Sequence, residues 1–272
     1  MEIEFVKTSP TQNMTILVET QIPEVEQLAI GQKIMAYESV YAEQTGFIQE
    51  PQDKRAVKGL RMMAGEFCGN ATMSLAAWVM EQNEVPIGET KTVLLEVSGA
   101  EELVLCEMKK ELEQRYFGKV AMPMPKAIVW ESFELEGTTY QLPVVQFEGI
   151  SHIIVEREVW GENAREMAEK AVTLWAEKMP DVFGILLWDK EAEQVEPLVC
   201  VKNASLVWEE GCGSGTSAIG AFLAMQTGKD LSLQLKQPGG VMGVEVTLKE
   251  GKLTSLQISG RVFIVATGKA YI

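Results

Sequence analysis

The sequence predicts a mixed α/β (α+β) fold of two pseudo-symmetric halves, each a curled mixed sheet around a central helix. Three observations lead there. Short β-branched runs alternate with helical stretches along the chain. The series of elements is written twice. And two stretches, FCGNATMS at 67–74 and GCGSGTSA at 211–218, each set Cys-Gly at the start of a strongly apolar helix.

The first copy opens with the strand NMTILVE (13–19) and a helix over about 23–37. A short apolar segment near GFI, a strand at GLRMM and the loop AGEFCGN lead to the helix ATMSLAAWVMEQN. Strands at KTVLLEVSG and EELVLCEM close the copy. The second copy opens with SHIIVE (151–156), followed by the helix NAREMAEKAVTLWAEK and strands at VFGILLW and EPLVCVK. LVWEEGCGSG leads to the helix TSAIGAFLAMQTG, and LSLQLKQPGG and MGVEVTLKE close it. A helix apolar on most faces is a buried one, so each Cys-Gly helix belongs in the centre of its own sheet. FGKVAMPMPK (117–126), with Gly118 and two prolines, reads as the boundary. The expected halves are 1–118 with 262–272, and 119–261, the closing GRVFIVATGKAYI crossing back to the first.

A chain of 272 residues, 46% hydrophobic and 23% charged, has the composition of a globular protein. Its net charge of −15 argues against nucleic acid or an anionic membrane surface as partner. The start, MEIEFVKTSP, does not read as a signal peptide, and no apolar run approaches the roughly 18 residues of a membrane span. The expected compartment is the cytoplasm, with Cys68, Cys106, Cys200 and Cys212 as thiols. They lack metal-ligand spacing, and a single histidine leaves no zinc site to expect. Cys106 and Cys200 sit in apolar strand patterns and read as small core residues. His152, flanked by Ile on its strand, reads as structural or supporting rather than as a base.

A helix start presents unpaired N–H groups and the positive end of the macrodipole. A cysteine there has its thiolate stabilised. The glycines that follow, Gly69, Gly213 and Gly215, allow close backbone approach to a ligand, and Asn70, Ser214 and Thr216 add donors. A substrate carboxylate fits such helix ends. Inverting an α-carbon needs a base on one face and an acid on the other, with the developing enediolate stabilised. Paired thiols and paired helix starts supply these parts. With no P-loop and no Rossmann fingerprint, no cofactor is expected, and the thiols make pyridoxal phosphate unnecessary. Glu66, Glu209 and Glu210 precede the cysteines as candidates for a substrate ammonium group, Glu210 being preferred. Glu43, in YAEQTGFIQE, is a candidate contact for the substrate side chain.

The two cysteine motifs resemble those of the diaminopimelate epimerase and proline racemase superfamily, and the resemblance spans the chain. VKTSPTQNMTILVE is similar to the family's opening strand, GISHIIVE to its Asn-Pro-His strand, KQPGGVMGVEV to its Pro-Gly-Gly turn, and SGRVFIVATGKAYI to its closing strand. The resemblance implies the diaminopimelate-epimerase-like fold, a site in the interdomain cleft, and cofactor-independent racemisation by Cys68 and Cys212. It implies substrate contacts at Asn13 and Asn70, and a homodimer. Two departures bear on the substrate. VWEEGCGSG lacks the Glu-Arg pair and Gly-rich spacer of diaminopimelate epimerase, and Ile150-Ser151-His152 lacks the asparagine. A smaller or differently shaped amino acid is expected. The EEGCGSGT form looks like histidine racemases of opine-type metallophore pathways, which makes L- to D-histidine the leading reading, ahead of diaminopimelate or proline-type substrates. A same-fold isomerase and a silent amino-acid-binding protein are the other classes.

Overall fold

The computed structural model describes residues 1–203 and 205–272. Two units emerge: 1–121 with 259–272, and 122–258. The sequence had pointed to 118 and 262 as the turning points.

In the first unit, β1 (Glu2–Pro10) and β2 (Thr15–Val18) precede α1 (Glu24–Met35). Then come β3 (Gln44–Gln49), β4 (Lys58–Met62), α2 (Gly69–Gln82), β5 (Thr90–Val97), β6 (Val104–Leu112) and β7 (Arg115–Ala121). The second has β8 (Ala127–Leu135), β9 (Thr138–Gln146), β10 (Ser151–Glu156), α3 (Ala164–Trp175), β11 (Val182–Asp189), β12 (Gln194–Val201), β13 (Ser205–Trp208), α4 (Gly213–Thr227), β14 (Leu231–Gln237) and β15 (Gly240–Lys249). A last strand, β16 (Lys252–Tyr271), ends the second unit and then lies along β1, Glu2 against Tyr271.

The duplication is legible in the pairing. From β1 to β6 successive neighbours run antiparallel, parallel, antiparallel, parallel, antiparallel. From β9 through β10, β11, β12 and β14 to β15 the series is the same. β8 flanks β9 as the end of β16 flanks β1, so the strand completing the first copy arrives from the far end of the chain. β13 is the addition, antiparallel to β12.

Four strands were not expected. β1 precedes the predicted opening. β7 occupies the predicted boundary, because Gly118 is a close-packing position rather than a breaker: a Cβ there would lie 2.5 Å from Met108 Sδ. Both prolines fall beyond the strand's end. The β8–β9 hairpin turns through Glu136 and Gly137, both at positive φ (49° and 78°), the backbone a two-residue hairpin requires.

α2 buries eleven of its fourteen residues and packs on β1, β2, β3, β5, β6 and β7, strands from both ends of the first sheet. α4 packs on β9, β10, β14 and β15 of the second. Its Gly220 faces Val244, where a Cβ would meet Cγ2 at 2.4 Å. The outer helices cover the other faces. α3 does so with Ala164, Ala168, Ala171, Val172 and Trp175, the three-to-four spacing of one helical stripe. Burying such side chains stabilises each copy by roughly 1.5–3 kcal/mol per large residue. Cys106 lies in the first core and Cys200 at the edge of the second, as core residues. Among the described residues no helix is long and apolar enough to cross a membrane.

Candidate active site

Cys68 is the N-cap of α2, extended at φ −137°, and its Sγ accepts the Ala71 N–H at 3.4 Å. An N-cap side chain normally offers oxygen to these orphan donors; here sulfur takes that place. The S–H points at Gln44 Oε1, 3.0 Å away. Gln44 at the start of β3 gives its amide N–H groups to Asn13 Oδ1 and to Thr15 Oγ1 (2.7 Å). Asn13 in turn donates to Glu43 Oε2 at 2.9 Å. The order of polarity is enforced. A carboxylate only accepts, so Asn13 turns its amide nitrogen to Glu43 and its oxygen to Gln44. Gln44 then has only its oxygen left for the sulfur. Cys68, Asn13 and Glu43 are thereby joined, through a residue that sequence reasoning left beside Glu43 without a role. Gly69 and the buried Asn70 form the first turn of α2.

Cys212 repeats the arrangement at α4, extended at φ −109°, with Sγ accepting the Gly215 N–H at 3.3 Å. Gly215 is required here: a Cβ would lie 2.8 Å from Leu186 and 3.2 Å from Cys212 Sγ. The Cys212 N–H is taken by Gln237 Oε1 at 2.7 Å, and Gln237 also donates to Thr216 Oγ1. Ser214 Oγ stands 3.5 Å from Cys212 Sγ and 2.8 Å from His152 Nε2. Aligning ILVE (16–19) with IIVE (153–156) gives His152 the same place in the repeat as Thr15. Each copy thus runs from its second strand, through one polar side chain, to its sulfur.

The carboxylate that reaches Cys212 is Glu209. Burial, then the charge and hydrogen bond of Glu209, push the Cys212 thiol well above its ordinary range, while Ser214 and the Gly215 N–H pull the other way. Glu209 is partly exposed as a residue, yet desolvation raises its carboxyl, and the bond to Cys212 lowers it. Cys212 therefore rests as a thiol, able to give a proton. The Glu210 carbonyl accepts the Gly239 N–H. Glu66 turns its carboxylate to the Ala64 N–H at 3.1 Å and shapes its own loop. Thr216 gives its hydroxyl to the Cys212 carbonyl at 2.7 Å and receives Gln237, so it braces the helix start rather than offering a donor outward. Thr72 does the same in the first copy. Gln237 was missed although it sits in the marked KQPGG stretch, because a sequence motif does not say which residue a side chain caps.

His152 is fully buried, and burial lowers its pKa to about 3. An unfolded imidazole titrates near 6.5, so below that pH the unfolded chain takes up a proton that the folded chain refuses. Stability is accordingly lost as pH falls from about 6.5 towards 3, by up to about 1.4 kcal/mol per unit from this group. His152→Gln should flatten the curve of urea midpoint against pH between 6.5 and 4. Parallel curves for wild type and variant would contradict it.

The fold is that of the proline racemase and diaminopimelate epimerase superfamily. It matches the hydroxyproline epimerase of Agrobacterium vitis with a TM-score of 0.71, over 98% of this chain and 92% of that one, at 13% identity. Within the superfamily, the family model described as histidine racemase CntK N-terminal domain matches residues 2–271, and the chain belongs to that family. It is 33% identical to the histidine racemase of Staphylococcus aureus (strain Mu50), over 99% of this chain and 98% of that one. It is 32% identical to the histidine racemase of Fusobacterium nucleatum, over 99% and 97%. The chain is an isomerase of the amino-acid racemase and epimerase kind.

Proposed function

We propose that this enzyme racemises histidine, converting L- to D-histidine without a cofactor, with Cys68 and Cys212 as the two acid–base groups. The observation that carries the reading is the duplicated N-cap cysteine, each sulfur on a helix N–H and each with its own polar relay. Inversion needs one group to take the α-proton and a second to deliver one to the other face. The histidine racemase relatives support the choice of substrate. Asn13, Glu43, Gly69, Asn70, Gly213, Ser214 and Gly215 are proposed to line the substrate. Glu209 is proposed as the carboxylate that tunes Cys212, and Glu210 as a candidate for the substrate ammonium group. On the family resemblance, the enzyme acts in the cytoplasm as a homodimer and its D-histidine feeds opine-type metallophore synthesis.

The test is L-histidine in deuterated water with purified protein and no additive. D-histidine carrying an α-deuteron is expected, with diaminopimelate a poor substrate by comparison. Turnover of diaminopimelate equal to that of histidine would overturn the substrate, and activity appearing only with added pyridoxal phosphate or metal would overturn the mechanism.

A further inference from the structure

A separate group of contacts gathers around Trp208, the residue directly before Glu209. β13 pairs with β12 alone among the described strands, and Ser205, Leu206 and Val207 are exposed, so burial holds little of it. Trp208 is its anchor. The indole packs against the outer core of the second unit, and its N–H donates to Glu169 Oε1 on α3 at 2.8 Å. The Arg165 guanidinium, also on α3, lies 4.5 Å over its ring, within reach of a cation–π contact. Arg165 is itself held: its Nε donates to Glu196 Oε2 at 2.6 Å. Glu196, on β12, is buried and shared with Arg157. One residue beyond Trp208, the Glu209 N–H bonds the Pro197 carbonyl at 2.9 Å, and its carboxylate meets Cys212. Successive side chains of extended chain point to opposite faces. Fixing the indole towards α3 therefore fixes the Glu209 carboxylate on the other face.

We propose that Arg165 and Trp208 form a clamp that positions Glu209 against Cys212, so that Arg165, which is not among the groups facing the thiol, is a positioning residue for its proton chemistry. The proposal rests on Cys212 being one of the two acid–base groups. The groups facing that thiol are the Glu209 carboxylate, the Ser214 hydroxyl that leads to the neutral His152, and the Gly215 N–H. Of these, only Glu209 depends on the clamp.

Arg165→Met keeps an aliphatic stem on the indole and removes the charge. The readout is the pH midpoint of Cys212 alkylation by iodoacetamide, followed by peptide mass. With Glu209 released, the thiol should ionise more easily, and the midpoint should fall by roughly one pH unit. Glu209→Gln alone should lower it too, and Arg165→Met should add nothing in the Glu209→Gln background. Trp208→Phe, which keeps a ring but loses the bond to Glu169, should shift it in the same direction. In the racemase assay Arg165→Met should lower kcat by roughly 10-fold with KM nearly unchanged, part of the 100-fold or more that a positioned acid or base provides. An unchanged midpoint, or an equal shift with and without Glu209, would overturn the clamp. Wild type unable to racemise, or Cys212→Ala still racemising, would overturn the catalytic reading instead, and the alkylation result would still decide the clamp.

Discussion

Cys68→Ser and Cys212→Ser are each expected to lose histidine racemisation by roughly 100-fold or more, the contribution of one positioned acid or base. Serine keeps the shape and still accepts the helix N–H that each sulfur now takes from Ala71 or Gly215, so the helix starts should survive. What is lost is a sulfur that can carry the proton, which a far less acidic hydroxyl cannot replace. A two-base mechanism further requires the two variants to differ. Each enantiomer gives its α-proton to the thiolate of a different cysteine, and a β-chloro analogue needs only that first abstraction before chloride leaves. Cys68→Ser should therefore still eliminate chloride from one enantiomer and Cys212→Ser from the other. Both variants preferring the same enantiomer, or either racemising at near wild-type rate, would show that the cysteines are not an opposed pair.

The cysteine pair was readable from the sequence because its signals are local. Cys-Gly at a loop-to-helix junction and an apolar helix after it depend only on neighbours in the chain, and α2 and α4 begin at Gly69 and Gly213 with the cysteines as caps. The duplication helped, since one copy's pattern checks the other's. The polar shell was harder to read because it is assembled from distant segments. Gln44 reaches Cys68 from 24 positions away and Gln237 reaches Cys212 from 25. That Glu209 meets Cys212 depends on which face of an extended segment its side chain takes, and the sequence alone does not say which. Strands were missed for a different reason. Gly118 looks like an interruption until the sulfur of Met108 is seen filling the space its missing side chain leaves. The β8–β9 hairpin did carry a signal, a Glu-Gly pair between alternating runs, but the match of ILVE to the IIVE of SHIIVE sets the opening of the second copy after it.

Gly99→Ala should be among the most damaging single substitutions outside the thiols, although Gly99 lies in the turn after β5. Its φ is +72°, a backbone that L side chains rarely adopt, and a Cβ there would fall 2.3 Å from the Phe67 nitrogen and 2.8 Å from the Glu66 carbonyl carbon. Both are backbone atoms, so no side-chain rotation relieves the clash. Either the turn or the 66–68 segment has to move. The turn is not free to yield. Ser98 accepts the Met62 N–H at 3.0 Å and donates to the Glu66 carbonyl at 2.8 Å, fastening the turn to that segment. Left-handed strain alone costs roughly 1–2 kcal/mol. With the collision added, the loss of stability should reach roughly 3–5 kcal/mol, the range of exceptional substitutions. The control is Gly149→Ala, at φ +81° with nothing within 4 Å of the new Cβ, which should show the strain and no more. Urea unfolding of both variants separates the two contributions. The activity that survives in folded Gly99→Ala should be low as well, because Phe67 and Cys68 are the segment displaced. Equal destabilisation of the two variants would mean that the 66–68 backbone gives way freely, and that the first cysteine is not held in place from behind.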